Sequence, residues 1–341
     1  MNLPIRYLGA ARMLTLLREV DLGALRREAD RRFTLALSGD PEGARALAER
    51  LSATPGRVGV HPFLELTGAP PAEPRVNSHS DLRIFVTREN AAAPGYGGPT
   101  LAVYLTGGEP LPVGADLPRP GEAGRVVLSD LSEHSVRETL IPALLRALPP
   151  ALHLALARGL PAFRPAVIGG LVEEAARTNA LYAAGTGVAE IVPVLNVPLN
   201  VADTVVLTKN QLVMAYKVAL AAGRTGSAQD LMTEIVGVLG GGLLFRQVAR
   251  GLVGLVPVWG VVPKVAVAYA GTQLIGTAAA LWATEGRAIS PDELRTLYAD
   301  ALGRGRAVAA RLVPARFRRK AGRAEVVEDG VKGALEERNE P

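Results

Sequence analysis

A glycine-rich turn followed by a helical pattern occurs in the stretch FTLALSGDPEGARALAERL, residues 33–51. Such a turn at a helix N-terminus is a natural phosphate site, because backbone N–H groups and the helix dipole both favour an anion there. The residues that would take part are Gly39, Gly43 and Arg45. The first question is therefore whether this turn binds a nucleotide.

The turn lacks the side chains that a nucleotide-binding P-loop needs. In the pattern G-x-x-x-x-G-K-[ST], the lysine contacts the phosphates and the hydroxyl contacts Mg²⁺. With Gly39 as the first glycine, Ala44 takes the second glycine's place. Arg45 then replaces the lysine and Ala46 replaces the hydroxyl residue. We therefore predict a turn that only shapes the chain.

The charges around the turn favour the same interpretation. Asp40 and Glu42 would repel a phosphate, although they suit the positive end of a helix. Every lysine lies at Lys209 or later. An arginine can still pair with an anion, so a divergent nucleotide hydrolase that uses Arg45 stays open as an alternative. We expect no cofactor, and GTP is the one to test.

Strand and helix patterns alternate from Phe33 to about Pro150, which predicts a small doubly wound α/β domain. The apolar runs LRIFVT, LAVYLT and RVVLS are short and β-branched, as is typical of parallel strands buried on both faces. The predicted strands are Phe33–Leu37, Leu82–Thr87, Leu101–Thr106 and Arg125–Ser129, and the predicted helices are Pro41–Leu51 and Ser135–Leu148.

This order of elements resembles a degenerate P-loop GTPase domain. The family's Asp-x-x-Gly would follow a middle strand, but only Gly107 and Gly108 follow LAVYLT. Its Asn-Lys-x-Asp would follow a later strand, where Asp130 stands without the preceding Asn-Lys. The resemblance implies a pseudo-GTPase domain, with Asp130 as the remaining nucleotide-like residue.

Other catalytic chemistry has little support in the sequence. The chain has no cysteine, and its four histidines have neither H-E-x-x-H nor another metal-ligand spacing. The polar stretch NSHSD, residues 77–81, contains triad residue types but no G-x-S-x-G. We expect no metal site and a protein that is not an enzyme.

The second half of the chain begins with the stretch IVPVLNVPLNVADTVVLTKNQLVMAYKVALAAGR, residues 191–224. Over about residues 165–303 the chain resembles domain-of-unknown-function family 697, found in YcjF-like membrane proteins and beside GTPase domains. The resemblance implies membrane association, a scaffolding or regulatory link to GTPase-like domains, and no known activity. The motif residues are Pro193, Pro198, Asp203, Asn210, Gln211, Met214, Lys217 and Gly223.

Three of these polar residues are spaced by seven. Asp203, Asn210 and Lys217 drift by only about 20° per step around a helix, so they form one polar stripe. The stripe is either the solvated side of an amphipathic helix or a polar seam packed inside a bundle or membrane.

A long apolar helix is predicted further on. Val265 to Ala283 contains no charged residue over 19 positions and would be about 28 Å long, close to the thickness of a hydrocarbon core. A small and polar seam facing a partner helix is predicted on one side, formed by Tyr269, Thr272, Gln273, Gly276 and Thr277. We predict a membrane helix; a core helix of a soluble bundle is the alternative.

A basic segment follows, because residues 303–323 hold eight basic groups and no acid. Next to a membrane helix it predicts a cytoplasmic segment at an inner membrane, in contact with anionic lipid. A cytoplasmic protein with a solvated basic tail is the alternative. We expect no nucleic-acid partner, because the segment contains no nucleic-acid recognition motif. The lipid-facing residues would be Arg316, Arg318, Arg319 and Lys320.

The sequence thus predicts an α/β N-terminal domain and an all-α apolar C-terminal domain. The expected function is a non-catalytic, membrane-associated scaffold or regulator, with a protein partner or self-association. A soluble two-domain interaction protein is the other alternative beside the hydrolase. The expected segments are an amphipathic helix at 1–32, the α/β domain at 33–150, the apolar helices at 151–303 and a basic, disordered tail at 304–341.

Overall fold

A computed structural model describes residues 20–52, 62–66, 80–89, 92–93, 98–109, 114, 116–118, 122–189, 199–240 and 261–313. These residues belong to two compact units. The α/β unit comprises Leu22–Gly169 together with Leu220–Arg224. The helical unit comprises the described residues within Gly170–Ala219 and after Arg224, together with Val20 and Asp21. The division after Gly169 is later in the chain than the predicted boundary at residue 150.

The α/β unit contains a sheet whose strand pairs are all parallel, in the order β2-β1-β3-β4-β5. The predicted α/β fold class is therefore confirmed, with the bounds of three of the four predicted strands shifted by one or two residues. The short edge strand β2 was not predicted, because three residues carry no readable period. The strands are β1 Leu35–Gly39, β2 Leu64–Leu66, β3 Leu82–Thr87, β4 Thr100–Leu105 and β5 Gly124–Leu128.

Strands β3 and β4 are buried along their whole length. Helices and loops cover both sides of them, as continuous apolar runs require. Helix α2 buries Leu47, Ala48 and Leu51 from its inner face. The helices of this unit are α1 Leu22–Ala29, α2 Pro41–Ser52, α3 Glu133–Ala147 with a π-helical turn at Val136–Leu140, and α4 His153–Gly159.

The α/β unit is completed by a segment that arrives much later in the chain. Arg158 on α4 donates from Nη1 to the carbonyl oxygens of Leu220, at 3.2 Å, and of Arg224, at 3.0 Å. Its Nε also pairs with Asp30 at 2.9 Å. Gly223 has φ +86° and allows the chain to turn there, as its predicted place at the helix end requires. These bonds tie residues 220–224 to α4.

The helical unit is built from long helices, which confirms the predicted all-α region. Its core joins alanines of one helix, such as Ala176 and Ala180, to Val261 and Val265 of another, and to Ala309 of a third. The small side chains bring the helix axes close together. The helices are α5 Arg164–Ala189, which begins in the α/β unit, α6 Leu199–Ala221, α7 Ala228–Gly240, α8 Val261–Glu285 and α9 Pro291–Leu312.

Two glycines mark close contacts between helices of this unit. A Cβ on Gly276 would be 2.5 Å from Cγ1 of Val172 on α5, and a Cβ on Gly305 would be 2.5 Å from the carbonyl oxygen of Ala266 on α8. Helices α8 and α9 thus pack closely against each other as a helical hairpin. Helix α9 begins with a capping box, in which Ser290 and Glu293 each accept a hydrogen bond from the other's backbone N–H.

One ion pair of the α/β unit is fully buried. Arg125 at the start of β5 donates to Glu122 from Nε, at 3.1 Å, and from Nη2, at 2.8 Å, and both side chains are 0% exposed. Glu122 also accepts from the backbone N–H of Ala93 at 3.0 Å. The forked pair therefore joins β5 to the loop that precedes β4.

We predict that Glu122→Ala lowers the free energy of unfolding by about 3–5 kcal/mol, because it leaves Arg125 as a buried charge without this partner. Urea unfolding monitored by circular dichroism measures the loss. The matched control is Glu138→Ala, which breaks the exposed Arg137–Glu138 pair and is expected to cost less than about 1 kcal/mol. Equal losses in the two variants would contradict the prediction.

Candidate functional site

The expected ligand-binding position in the α/β unit is the carboxyl end of the sheet. In open parallel sheets, ligands bind outside the carboxyl ends of the strands, where the strand order reverses. Here the order reverses between β1 and β3, so the glycine-rich turn after Gly39 lies at this position.

The turn closes this position with its own atoms. Gly39 has φ +99°, and a Cβ there would overlap the carbonyl oxygen of Val86 at the end of β3. The N–H of Asp40 donates to that same oxygen at 2.8 Å. Gly43 is buried, and a Cβ there would be 2.8 Å from Cγ1 of Val86. The ends of β1 and β3 are therefore held in direct contact.

A side chain of the protein occupies the helix N-terminus where a phosphate would bind. Oδ2 of Asp40 accepts from the backbone N–H of Gly43 at 2.8 Å and from Nε of Arg88 at 3.0 Å. Burial raises the pKa of Asp40, but the bonds from Gly43 and Arg88 and the charge of Arg88 lower it further, so the pKa lies below its usual value. An ionised carboxylate at this point disfavours a second anion.

The other nucleotide-like residues do not converge on this turn. Arg45 is exposed on α2, in a shallow depression that Glu42 and Glu49 also line. Asp130 follows β5, which lies three strands from β1 and thus about 14 Å away. Of the four predicted residues, the structure brings together only Gly39 and Gly43, and both serve chain geometry.

Asp130 accepts hydrogen bonds from residues at the start of α3. Its Oδ1 accepts from the backbone N–H of Ser132 at 2.8 Å and from the hydroxyl of Ser135 at 2.9 Å. Ser132 in turn caps the helix by accepting from the N–H of Ser135. The hydrogen bonds from Ser132 and Ser135 lower the pKa of Asp130 to about 2. Asp130 therefore holds Ser132, the residue that caps α3, in position.

The helical unit contains a buried polar network that joins three helices. Asn179 on α5 donates to the hydroxyl of Thr272 on α8 at 2.9 Å, and Gln211 on α6 donates to the same hydroxyl at 3.1 Å. Asn210 donates to Oδ1 of Asn179 at 2.9 Å, and Thr272 donates to the carbonyl oxygen of Ala268. Asn179 and Thr272 are fully buried. Each of these groups would lose hydrogen bonding if the helices shifted.

A second polar cluster lies along the same pair of helices. Glu173 on α5 accepts from the hydroxyl of Tyr269 and from Nε2 of Gln273 on α8, both at 2.7 Å. Arg177, one turn further along α5, donates to the other carboxylate oxygen. The predicted seam of Tyr269, Thr272 and Gln273 is thus confirmed, and its partner is α5. The partner residues Glu173 and Asn179 were missed, because their helix carries no distinctive polar period.

The predicted stripe on α6 is packed inside the bundle at Asn210, and the stripe as a whole stays a prediction. Asn210 bonds to Asn179 inside the bundle, whereas Lys217 is half-buried. Gln211 and Met214 are buried. Asp203 lies on α6, and Pro193, Pro198, Arg316, Arg318, Arg319 and Lys320 lie outside the described residues.

One described helix, Val261–Glu285, is long and apolar enough to cross a membrane. The pair Glu133–Ala147 and Pro150–Gly159 would qualify only as one broken span with a 116° bend. In Val261–Glu285, however, 83% of the most apolar window is buried inside the protein. A core helix of a bundle passes the same test of length and composition.

Among the described residues, no group of three or more histidine, aspartate or glutamate side chains is arranged to hold a metal. The polar arrangements described above are helix caps and hydrogen bonds between helices. Comparison of the chain with family models, with curated proteins and with solved structures finds no match. The resemblance to family 697 therefore stays a prediction.

We predict that Tyr216→Phe raises the free energy of unfolding by about 1 kcal/mol or more, because the buried Tyr216 hydroxyl has no hydrogen-bond partner among the described residues. The matched variant Tyr269→Phe removes the bond to Glu173 and is expected to cost about 1.5–3 kcal/mol. Chemical unfolding of both variants measures the difference. Two losses of equal size would contradict the assignment.

The hydrogen bonds that Asp130 accepts from Ser132 and Ser135 predict that the stability of the fold depends on pH. With a pKa lowered from 3.8 to about 2, the folded state binds the proton more weakly than the unfolded state does. The stabilisation is therefore complete above about pH 4 and is lost as the pH falls toward about 2. Carbon-detected NMR of the Asp130 carboxyl group measures the folded pKa. A midpoint near 4 would show that the serine bonds are not formed in solution.

Proposed function

We propose that this chain is a non-catalytic, membrane-associated scaffold or regulator that combines a pseudo-GTPase-like α/β domain with an apolar helical domain. The observation that carries the non-catalytic part is the contact of Asp40 with Gly43 and Arg88 at the switch point of the sheet. A protein carboxylate takes the position of the phosphate, and no lysine stands near it in the sequence.

Membrane association is supported by the basic residues that follow α9; Val261–Glu285 is in addition long and apolar enough to cross a membrane, although most of its apolar window is buried. An inner-membrane location with the basic segment in the cytoplasm follows from the preference of lysine and arginine for cytoplasmic loops. The helical unit also exposes the large apolar side chains of Leu181 and Val205, as contacts for a protein partner or a second copy of the chain.

A second candidate is a soluble interaction protein with the same two units. The burial of α8 inside its own bundle favours it, because a helix covered by protein leaves little apolar surface for lipid. A divergent nucleotide hydrolase remains the third, and it would depend on Arg45.

Two measurements on the full chain test the proposal. Isothermal titration with GTP and with ATP, each with Mg²⁺, is expected to give no binding, because Asp40 repels an anion at the helix N-terminus. Fractionation of cells at low salt is expected to recover the chain with the membranes.

Three outcomes contradict parts of the proposal. Nucleotide binding that is lost in Arg45→Ala would restore the hydrolase. Binding that gains strength in Asp40→Asn but not in the matched variant Glu89→Gln would show that the switch point is a working anion site. Recovery of the chain in the soluble fraction at low salt would favour the soluble interaction protein.

A further inference from the structure

Helix α9 carries charged side chains along the whole length of its partner α8. The close contact of Gly305 with Ala266 places the end of α9 beside the start of α8, so the two helices run antiparallel. Exposed charged residues therefore lie beside the start, the middle and the end of α8. They are Asp292, Arg295, Asp300, Arg304, Arg306 and Arg311.

This arrangement bears on how a membrane can be contacted. A charged side chain at the centre of a hydrocarbon layer is costly and normally faces protein or water. In the folded hairpin, the exposed side of α9 would place Asp300 and Arg304 against lipid tails if α8 spanned a bilayer. The fold is thus compatible with a bilayer surface beside α9, and not with hydrocarbon around the hairpin.

The charges on α9 are segregated along its length. Its first half contains Asp292, Glu293 and Asp300, and Arg295 pairs with Asp292 at 3.0 Å. From Ala301 onward the helix exposes Arg304, Arg306 and Arg311, and contains no acidic residue. In the described part of the chain, none of these three arginines forms an ion pair with a carboxylate. The second half of α9 is therefore a strongly positive surface.

The sequence extends this positive charge. After α9 come Arg316, Arg318, Arg319, Lys320 and Arg323, and the next acidic residue is Glu325. The outermost positions between the arginines of α9 are small, namely Gly303, Ala307 and Ala310, and all three are exposed. Long arginine side chains on both sides of a flat strip can reach one plane of phosphate groups.

From these observations we propose that the second half of α9, with Arg304, Arg306 and Arg311, docks on the surface of a membrane rich in anionic phospholipid, and that the chain does not span it. The proposal rests on the membrane association proposed above. It specifies that the partner is anionic phospholipid and that the chain binds to the membrane surface. Charge complementarity selects the lipid surface, since an arginine near such a surface adds about fivefold to binding. Residues 303–323 contain a single aromatic residue, Phe317. They therefore do not resemble the surfaces of proteins that bind single-stranded nucleic acid, on which bases stack against several aromatic side chains.

The test is co-sedimentation of the full chain with vesicles of phosphatidylcholine, with or without about one third phosphatidylglycerol. Wild-type chain is expected to bind only the anionic vesicles at about 0.1 M salt and to be released at about 1 M salt. The triple variant R304Q/R306Q/R311Q is expected to bind at least tenfold more weakly. The matched variant R32Q/R50Q/R137Q removes the same charge from exposed positions in the α/β unit and is expected to bind as the wild type does.

The other outcomes separate the two proposals. If cell membranes retain the chain in about 1 M salt and release it only with detergent, the chain is integral, so this inference fails while membrane association stands. Equal binding to neutral vesicles, or equal loss in the two triple variants, also overturns it. If neither vesicles nor cell membranes bind the chain, membrane association itself fails. Tighter binding to a DNA duplex than to anionic vesicles, lost in R304Q/R306Q/R311Q, would assign the surface to nucleic acid.

Discussion

The hydrogen bonds between α5, α6 and α8 are the constraint on which the helical unit depends. Helices rich in alanine and valine offer similar surfaces at every turn, so a slide by one turn would lose little apolar contact. Asn179 and Thr272 change this, because a slide would leave buried polar groups without partners. An unpaired buried group costs about 1–3 kcal/mol, so a few such groups select one register out of several with similar packing.

In the α/β unit the corresponding constraint is the contact between the ends of β1 and β3. A nucleotide-binding turn keeps its N–H groups free and its glycines open to a ligand. Here the N–H groups of Asp40 and Gly43 are satisfied by Val86 and by the Asp40 side chain. The same geometry that would have made a phosphate site thus serves as a joint between two strands and a helix.

The elements of the fold could largely be predicted from the sequence, because buried strands and amphipathic helices leave periodic patterns. Strand β3 is predicted at its observed bounds, and the seam on α8 is predicted with the correct residues. The partners in that seam could not be predicted, since which side of Ala-rich α5 faces α8 is decided only in three dimensions. Likewise, the capture of Asp40 by Arg88 joins residues 48 positions apart.

The return of residues 220–224 to the α/β unit has a consequence for the order of folding during synthesis. Arg158 acquires its carbonyl partners only after a further 62 and 66 residues have been made. At the usual rate of 5–20 residues per second this delay is roughly 3–13 s. Throughout that time the first unit is incomplete while α5 and α6 emerge from the ribosome. The α/β unit therefore reaches its final form only when the first two helices of its neighbour already exist.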